Sequence, residues 1–117
     1  MFRKSSKRLD EWLKRKKRKP LVLRGARQVG KTWLVRDLAK RQKLELIELN
    51  FEYTADAAGH FESSNPRDVI KSLENVLGHK IVPQKTLLFL DEIQAAPQIL
   101  AKLRWFKEEM PELAVIA

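Results

Sequence analysis

No cysteine occurs among the 117 residues, which excludes disulfides and thiolate metal sites. The two histidines, His60 and His79, lack a second ligand at metal spacing, so no zinc-type centre is expected either. A chain that needs no disulfide fits a reducing cytoplasm. Long apolar stretches are missing too, and nothing approaches the roughly 20 residues that a membrane span requires. The start, Met1-Phe2-Arg3-Lys4, is basic like the first segment of an export signal, but Ser5, Ser6, Lys7 and Arg8 stand where its apolar stretch would be. There are no internal repeats, and compositional bias is confined to one basic run.

What is present is ordinary for one soluble layered domain: 44% hydrophobic and 33% charged residues. The formal net charge of +9 is localised. Residues 1–19 hold ten of the 24 Lys and Arg but only two of the 15 acids, Asp10 and Glu11, leaving 14 bases against 13 acids in the other 98 residues. The chain therefore reads as a basic N-terminal helix or arm over 1–19 and a near-neutral domain over 20–117. Lys14 to Lys19 is an unbroken run of six bases, either a solvated tail or a contact for nucleic acid or another polyanion.

Along the chain, short apolar runs alternate with amphipathic ones. Ser6 is a candidate cap for a short helix with Leu9, Trp12 and Leu13 on one face. Leu21-Val22-Leu23, after Pro20, reads as a strand buried on both sides. From Lys31 the residues Leu34, Val35, Leu38 and Ala39 recur at helical spacing. Leu44 to Leu49 is the next strand candidate, ending at Asn50-Phe51-Glu52, and Tyr53 to Ser64 reads as loop. Asn65 as N-cap, Pro66 at the first position, Asp68 in the first turn and Gly78 past the end bracket a helix. Leu87 to Leu90 forms a second fully apolar strand. A single helix is expected from Pro97, with Ile99, Leu103, Phe106 and Met110 on one face and Pro111 ending it, and Leu113 to Ala117 is strand-like. This order predicts an α/β fold, a mainly parallel sheet covered by helices on both faces, because parallel strands need crossover connections.

Gly25-Ala26-Arg27-Gln28-Val29-Gly30-Lys31-Thr32 matches G-x-x-x-x-G-K-[ST] in full, directly after a buried strand and at the opening of a helix. Glycines let the backbone wrap a phosphate, successive N–H groups and the positive helix end face the anion, Lys31 reaches the β- and γ-phosphates, and the Thr32 hydroxyl can ligate Mg²⁺. A chance match is expected in roughly 1% or fewer of chains this size at ordinary residue usage. The acidic pair Asp91-Glu92 closes the second apolar strand, where Asp91 can act on the magnesium ion and Glu92 can polarise an attacking water. Taken alone, such a pair also suits a solvated strand end. A kinase would need its acceptor hydroxyl where Glu92 stands, and a GTPase would carry Asn-Lys-x-Asp, yet no Asn here precedes a Lys. ATP hydrolysis is the expectation, with phosphotransfer to a small acceptor, or an ATP-regulated nucleic-acid protein using the basic arm, as alternatives.

With both motifs in hand, the chain resembles the bacterial and archaeal AAA-type ATPases whose ATPase module precedes a C-terminal domain of unknown function. The resemblance runs through Leu21 to Thr32, Asn50-Phe51-Glu52, Leu88-Phe89-Leu90-Asp91-Glu92-Ile93-Gln94 and the segment from Pro97 to Glu112; Arg27-Gln28 and Gln94 are its most specific marks. It implies a three-layer P-loop core that binds ATP and Mg²⁺, with the strand of Ala114 to Ala117 lying between the phosphate-loop strand and the Asp91 strand. It also implies a switch role for Asn50, which could hold Glu92 by a hydrogen bond; on its own Asn50 reads first as a strand-end turn residue. Elements beyond Ala117 are implied as well: a polar sensor, a fifth strand, an arginine finger, a lid and the C-terminal domain, with possible oligomers of the longer parent. On this expectation the sheet stops after its fourth strand, an edge is left open beside Leu21 to Leu23, and the chain alone turns over slowly.

Overall fold

The apolar run Leu87 to Leu90 is the middle of the molecule because neither of its faces meets water. In the computed structural model, which describes residues 2–14, 21, 28–51, 59, 61, 65–93 and 97–117 (side chains of 2–7, 28 and 29 excepted), it lies within strand β2, Thr86–Asp91, buried at every position but the last. Strand β1, Glu45–Asn50, pairs with it in parallel, Asn50 opposite Asp91. Strand β3, Ala114–Ile116, pairs in parallel on the other side, Leu87 opposite Ala114. Leu21 then bridges in parallel to Ile116: its N–H donates to the Val115 carbonyl at 2.9 Å, and its own carbonyl accepts from the Ala117 N–H at 2.8 Å. The order across the sheet is β1, β2, β3, Leu21, so the apolar segment after Leu113 does lie between Leu21 and the Asp91 strand, as expected. Val22 and Leu23 fall outside the described residues, as does the edge expected beside them.

Alternation along β2 divides the core in two. Leu88 and Leu90 join Ile47 and Val115 under helix α3, Pro66–Leu77, and the short helices α4, Pro97–Leu100, and α5, Leu103–Glu109. Leu87 and Phe89, with Ala114 and Ile116, face helix α1, Phe2–Leu13, and helix α2, Gln28–Arg41. The result is a three-layer α/β unit.

Helix α1 begins at Phe2, so Ser6 lies inside it instead of capping it; no glycine or proline interrupts Phe2 to Ser6, and serine is tolerated in a helix interior. Its Leu9 and Trp12 are buried against α2. Asp10 accepts from Arg41 Nη1 at 2.8 Å on both oxygens, and Arg41 Nε donates to Asp37 at 2.7 Å. Both acids hold the Arg41 proton above its ordinary range, Asp37 foremost. The first helix is thus docked on the second by apolar burial and by charge.

Asn65 Oδ1 accepts from the Arg67 N–H at 3.0 Å, Pro66 opens α3, and Gly78 closes it at φ 79°, as the residue types require. The helix expected from Pro97 is instead broken at Ala101-Lys102, where the Lys102 N–H bonds back only three residues, to Ile99. The Lys102 ammonium donates to the carbonyl of Phe61. Phe61 itself is buried, its ring centroid 5.7 Å from that of Phe51 and 6.3 Å from that of Phe106. A residue read as loop is therefore a core anchor, and a side chain from the break fixes its backbone.

Helix α2 ends in a two-bond cap in which the Leu44 N–H donates to the Ala39 carbonyl at 2.8 Å and the Lys43 N–H to the Lys40 carbonyl at 3.3 Å. Lys43 occupies the left-handed position at φ 54°, where glycine is the usual residue. Lys43→Gly should raise stability by roughly 0.5–1 kcal/mol, the left-handed penalty of about 1–2 kcal/mol less the extra chain entropy glycine loses on folding. Thermal unfolding checks this, and a lowered midpoint would mean that the lysine stem contributes more than its backbone costs.

Candidate functional site

Three parallel strands point the same way, so their carboxyl ends share one edge of the sheet. Asn50 ends β1, Asp91 ends β2, and the two are register partners, with the Phe51 N–H donating to the Asp91 carbonyl at 3.1 Å. Helix α2 runs against the strands: only three residues separate its last residue, Arg41, from the start of β1 at Glu45, so its first turn returns to the carboxyl edge. That first turn holds Gln28, Val29, Gly30 and Lys31, with Thr32 next. The helix opens three residues before Lys31, where the hydrophobic spacing would have started it. Because the first four N–H groups of an α-helix have no partner within it, the unpartnered donors belong to the motif itself.

Face as well as edge agrees. Leu87 and Phe89 face α2, so Asp91, two further along, lies on the same side of β2; Leu46 faces α2 on β1, and Glu48 and Asn50 follow it at the same parity. An ion pair fixes the relation: Arg36 of α2 donates from Nε to Glu48 Oε1 at 2.6 Å and from Nη2 to Oε2 at 3.0 Å. The Arg36 guanidinium is held protonated above its ordinary range, first by the hydrogen bond to Glu48, then by that residue's charge, with Asp91 contributing at longer range. Asp91 is thus within electrostatic reach of the helix whose first turn ends at Lys31, with Thr32 next.

The acidic pair is built by an unusual turn. Asp91 Oδ1 accepts from the Glu92 N–H at 3.0 Å, which orients the carboxylate, and Glu92 takes the left-handed conformation at φ 56°. That backbone costs about 1–2 kcal/mol for a residue other than glycine. Glu92 is nevertheless only 4% exposed, so the fold encloses an ionisable side chain on a strained turn at a strand end. Strain of this kind persists where the surroundings over-determine it, and such residues gather at functional sites.

Gly30, Lys31 and Thr32 are half-buried at the start of α2, and Asn50 and Asp91 are half-buried at the strand ends. Gly25, Ala26, Arg27 and Gln94 fall outside the described residues, and for Gln28 and Val29 only the backbone is described. Of the basic run, Lys14 is exposed and residues 15–19 fall outside. Two features had no sequence signal: the Arg36–Glu48 pair, which joins residues twelve positions apart on different elements, and the left-handed backbone of Glu92.

Among the described residues no three His, Asp or Glu side chains gather as an all-protein metal site. A single hydroxyl and a single carboxylate at one edge, Thr32 and Asp91, suit a hard cation that keeps several waters and takes phosphate oxygens, the habit of Mg²⁺. No described helix is long and apolar enough to cross a membrane. Residues 17–117 match the model of a family described as AAA domain. No curated protein matches the chain.

Proposed function

Since the chain belongs to the AAA domain family, a nucleotide-binding module, over most of its length, we propose that it binds Mg-ATP and hydrolyses it, coupling nucleotide state to a partner or to a further domain. The observation that carries this reading is the convergence of the α2 first turn and Asp91 on one edge and one face of the sheet.

In this reading Gly25 to Thr32 wrap the phosphates, the N–H groups that open α2 bind their oxygens, and Lys31 supplies a point charge between the β- and γ-phosphates. Magnesium, when bound, neutralises charge that develops on the β- and γ-phosphate oxygens; Thr32 and Asp91 are the residues that would hold it. Glu92 accepts a proton from water as the water oxygen bonds to the γ-phosphorus and the bond from that phosphorus to the bridging oxygen breaks, releasing ADP and phosphate. The enclosure of Glu92 supports this role, since a base away from bulk water is oriented before the substrate arrives. Asn50, in register with Asp91, is suited to hold Glu92 away from the water until a partner engages.

Mg-ATP at about a hundred times its dissociation constant should stabilise the protein by roughly 2.7 kcal/mol, since only the folded state binds. A thermal-shift titration reads this directly, and an unchanged unfolding midpoint would sink the nucleotide reading. Labelled γ-phosphate should then appear as free phosphate; its appearance on a small acceptor would replace hydrolysis with phosphotransfer.

A further inference from the structure

The Arg36–Glu48 pair has a two-bond geometry that its energetic contribution alone does not explain. Its side chains are 62% and 32% exposed, and a pair that open to water contributes little to stability. Yet two parallel N–H···O bonds fix an orientation as well as a distance. Arg36 stands one helical turn after Thr32, and so on the same side of α2. Glu48 stands two residues before Asn50, on the same face of β1, and Asn50 is the register partner of Asp91. The fork therefore ties the helix that begins with Lys31 and Thr32 to the strand that ends beside Asp91.

The other contacts under α2 do not fix its roll in the same way. Val35, Leu38 and Ala39 pack on Leu87 and Phe89, and this close packing limits the coarse roll of the helix while leaving its fine adjustment to directional contacts. Arg41 anchors the far end, to Asp10 on α1. Only Arg36 makes a described ion pair between α2 and the sheet, and it does so in the middle of the helix, one turn from Thr32, so that a change in roll there also changes the gap between Thr32 and Asp91.

We propose that Arg36 and Glu48 are positioning residues for the metal site, their fork setting the roll of the phosphate-loop helix so that Thr32 and Asp91 meet one magnesium ion. This rests on the Mg-ATP reading above. Neither residue touches nucleotide; both act through Thr32 and Asp91.

The test is the gain in ATP affinity that magnesium confers, measured by calorimetry in excess EDTA and again in excess Mg²⁺. Arg36→Lys keeps the charge and loses the fork; Glu48→Gln keeps the shape and loses the charge-assisted pair. Each should cut the magnesium gain by about three- to fivefold, near the most that a solvent-open ion pair can contribute. Affinity for ATP in EDTA should stay within roughly twofold, and the double variant should be no worse than either single one, because both remove the same contact. The exchanged pair, Arg36→Glu with Glu48→Arg, should recover part of the gain. An unchanged magnesium gain in both single variants overturns the proposal, as does an equal loss with and without magnesium, which would mark a general disturbance of the helix. If the unsubstituted protein binds no ATP under either condition, the Mg-ATP reading falls and the proposal with it, an outcome distinct from normal binding with insensitive variants.

Discussion

Glu92→Gln should retain Mg-ATP binding and lower phosphate release by about 10²- to 10⁴-fold, the usual cost of removing a general base. The amide preserves the shape of the side chain and its hydrogen-bonding reach but does not accept the proton that the attacking water must shed. Glu92 sits on a left-handed turn and is almost fully enclosed, so a change of size there would disturb the fold and confound the result. Glutamine avoids this, being no more strained at φ 56° than glutamate. Phosphate release at saturating Mg-ATP, measured beside the unsubstituted protein, reads the chemistry, and calorimetry on the same sample reads binding. Turnover within a few-fold of the unsubstituted protein would move the base to another residue.

Lys31→Ala should weaken ATP binding by about 10- to 100-fold, since a hydrogen bond to a charged group is worth about 1.5–3 kcal/mol and the backbone contacts of the loop remain. Lys31 lies in the first turn of α2 and is half-buried, and alanine is the best helix former, so the fold should survive the change. The stabilisation by Mg-ATP should shrink in proportion. Calorimetric affinity equal to that of the unsubstituted protein would count against Gly25 to Thr32 as the phosphate loop, whatever the fate of the Glu92 variant. The two substitutions separate binding from chemistry, because one removes a ground-state contact and the other a proton acceptor.

Elements that carry their own punctuation were legible residue by residue. Asn65, Pro66 and Gly78 mark the two ends of α3 through local backbone requirements that do not depend on the rest of the molecule. The unbroken apolar run in β2 announces a strand covered on both faces, and its alternating contacts then divide the core. Periodicity misled where a tertiary contact outweighed it. Ile99, Leu103, Phe106 and Met110 keep helical spacing and are all buried, yet the helix breaks at Lys102, whose ammonium satisfies the carbonyl of Phe61. Phe61 was unreadable for the same reason: its place in the core comes from the rings of Phe51 and Phe106, outside its own segment, and its own neighbours show no alternation.

By itself the sequence determined the chemistry on offer: a full phosphate-loop motif, an acid pair after an apolar strand, and the alternation of strands and helices that demands a parallel sheet. These are local properties, written in residue type and short spacing. Which groups meet was decided only by the tertiary structure. Asn50 and Asp91 are 41 positions apart and become register partners through the crossover of α3; Arg36 finds Glu48 because α2 folds back across β1; and Leu9 and Trp12 turn a basic leading segment into a docked helix. The backbone of Glu92 belongs with these, since nothing in its type favours a left-handed turn and only the surrounding core can hold it there. Non-local pairing depends on the register and the faces of elements that sequence spacing alone does not bring together.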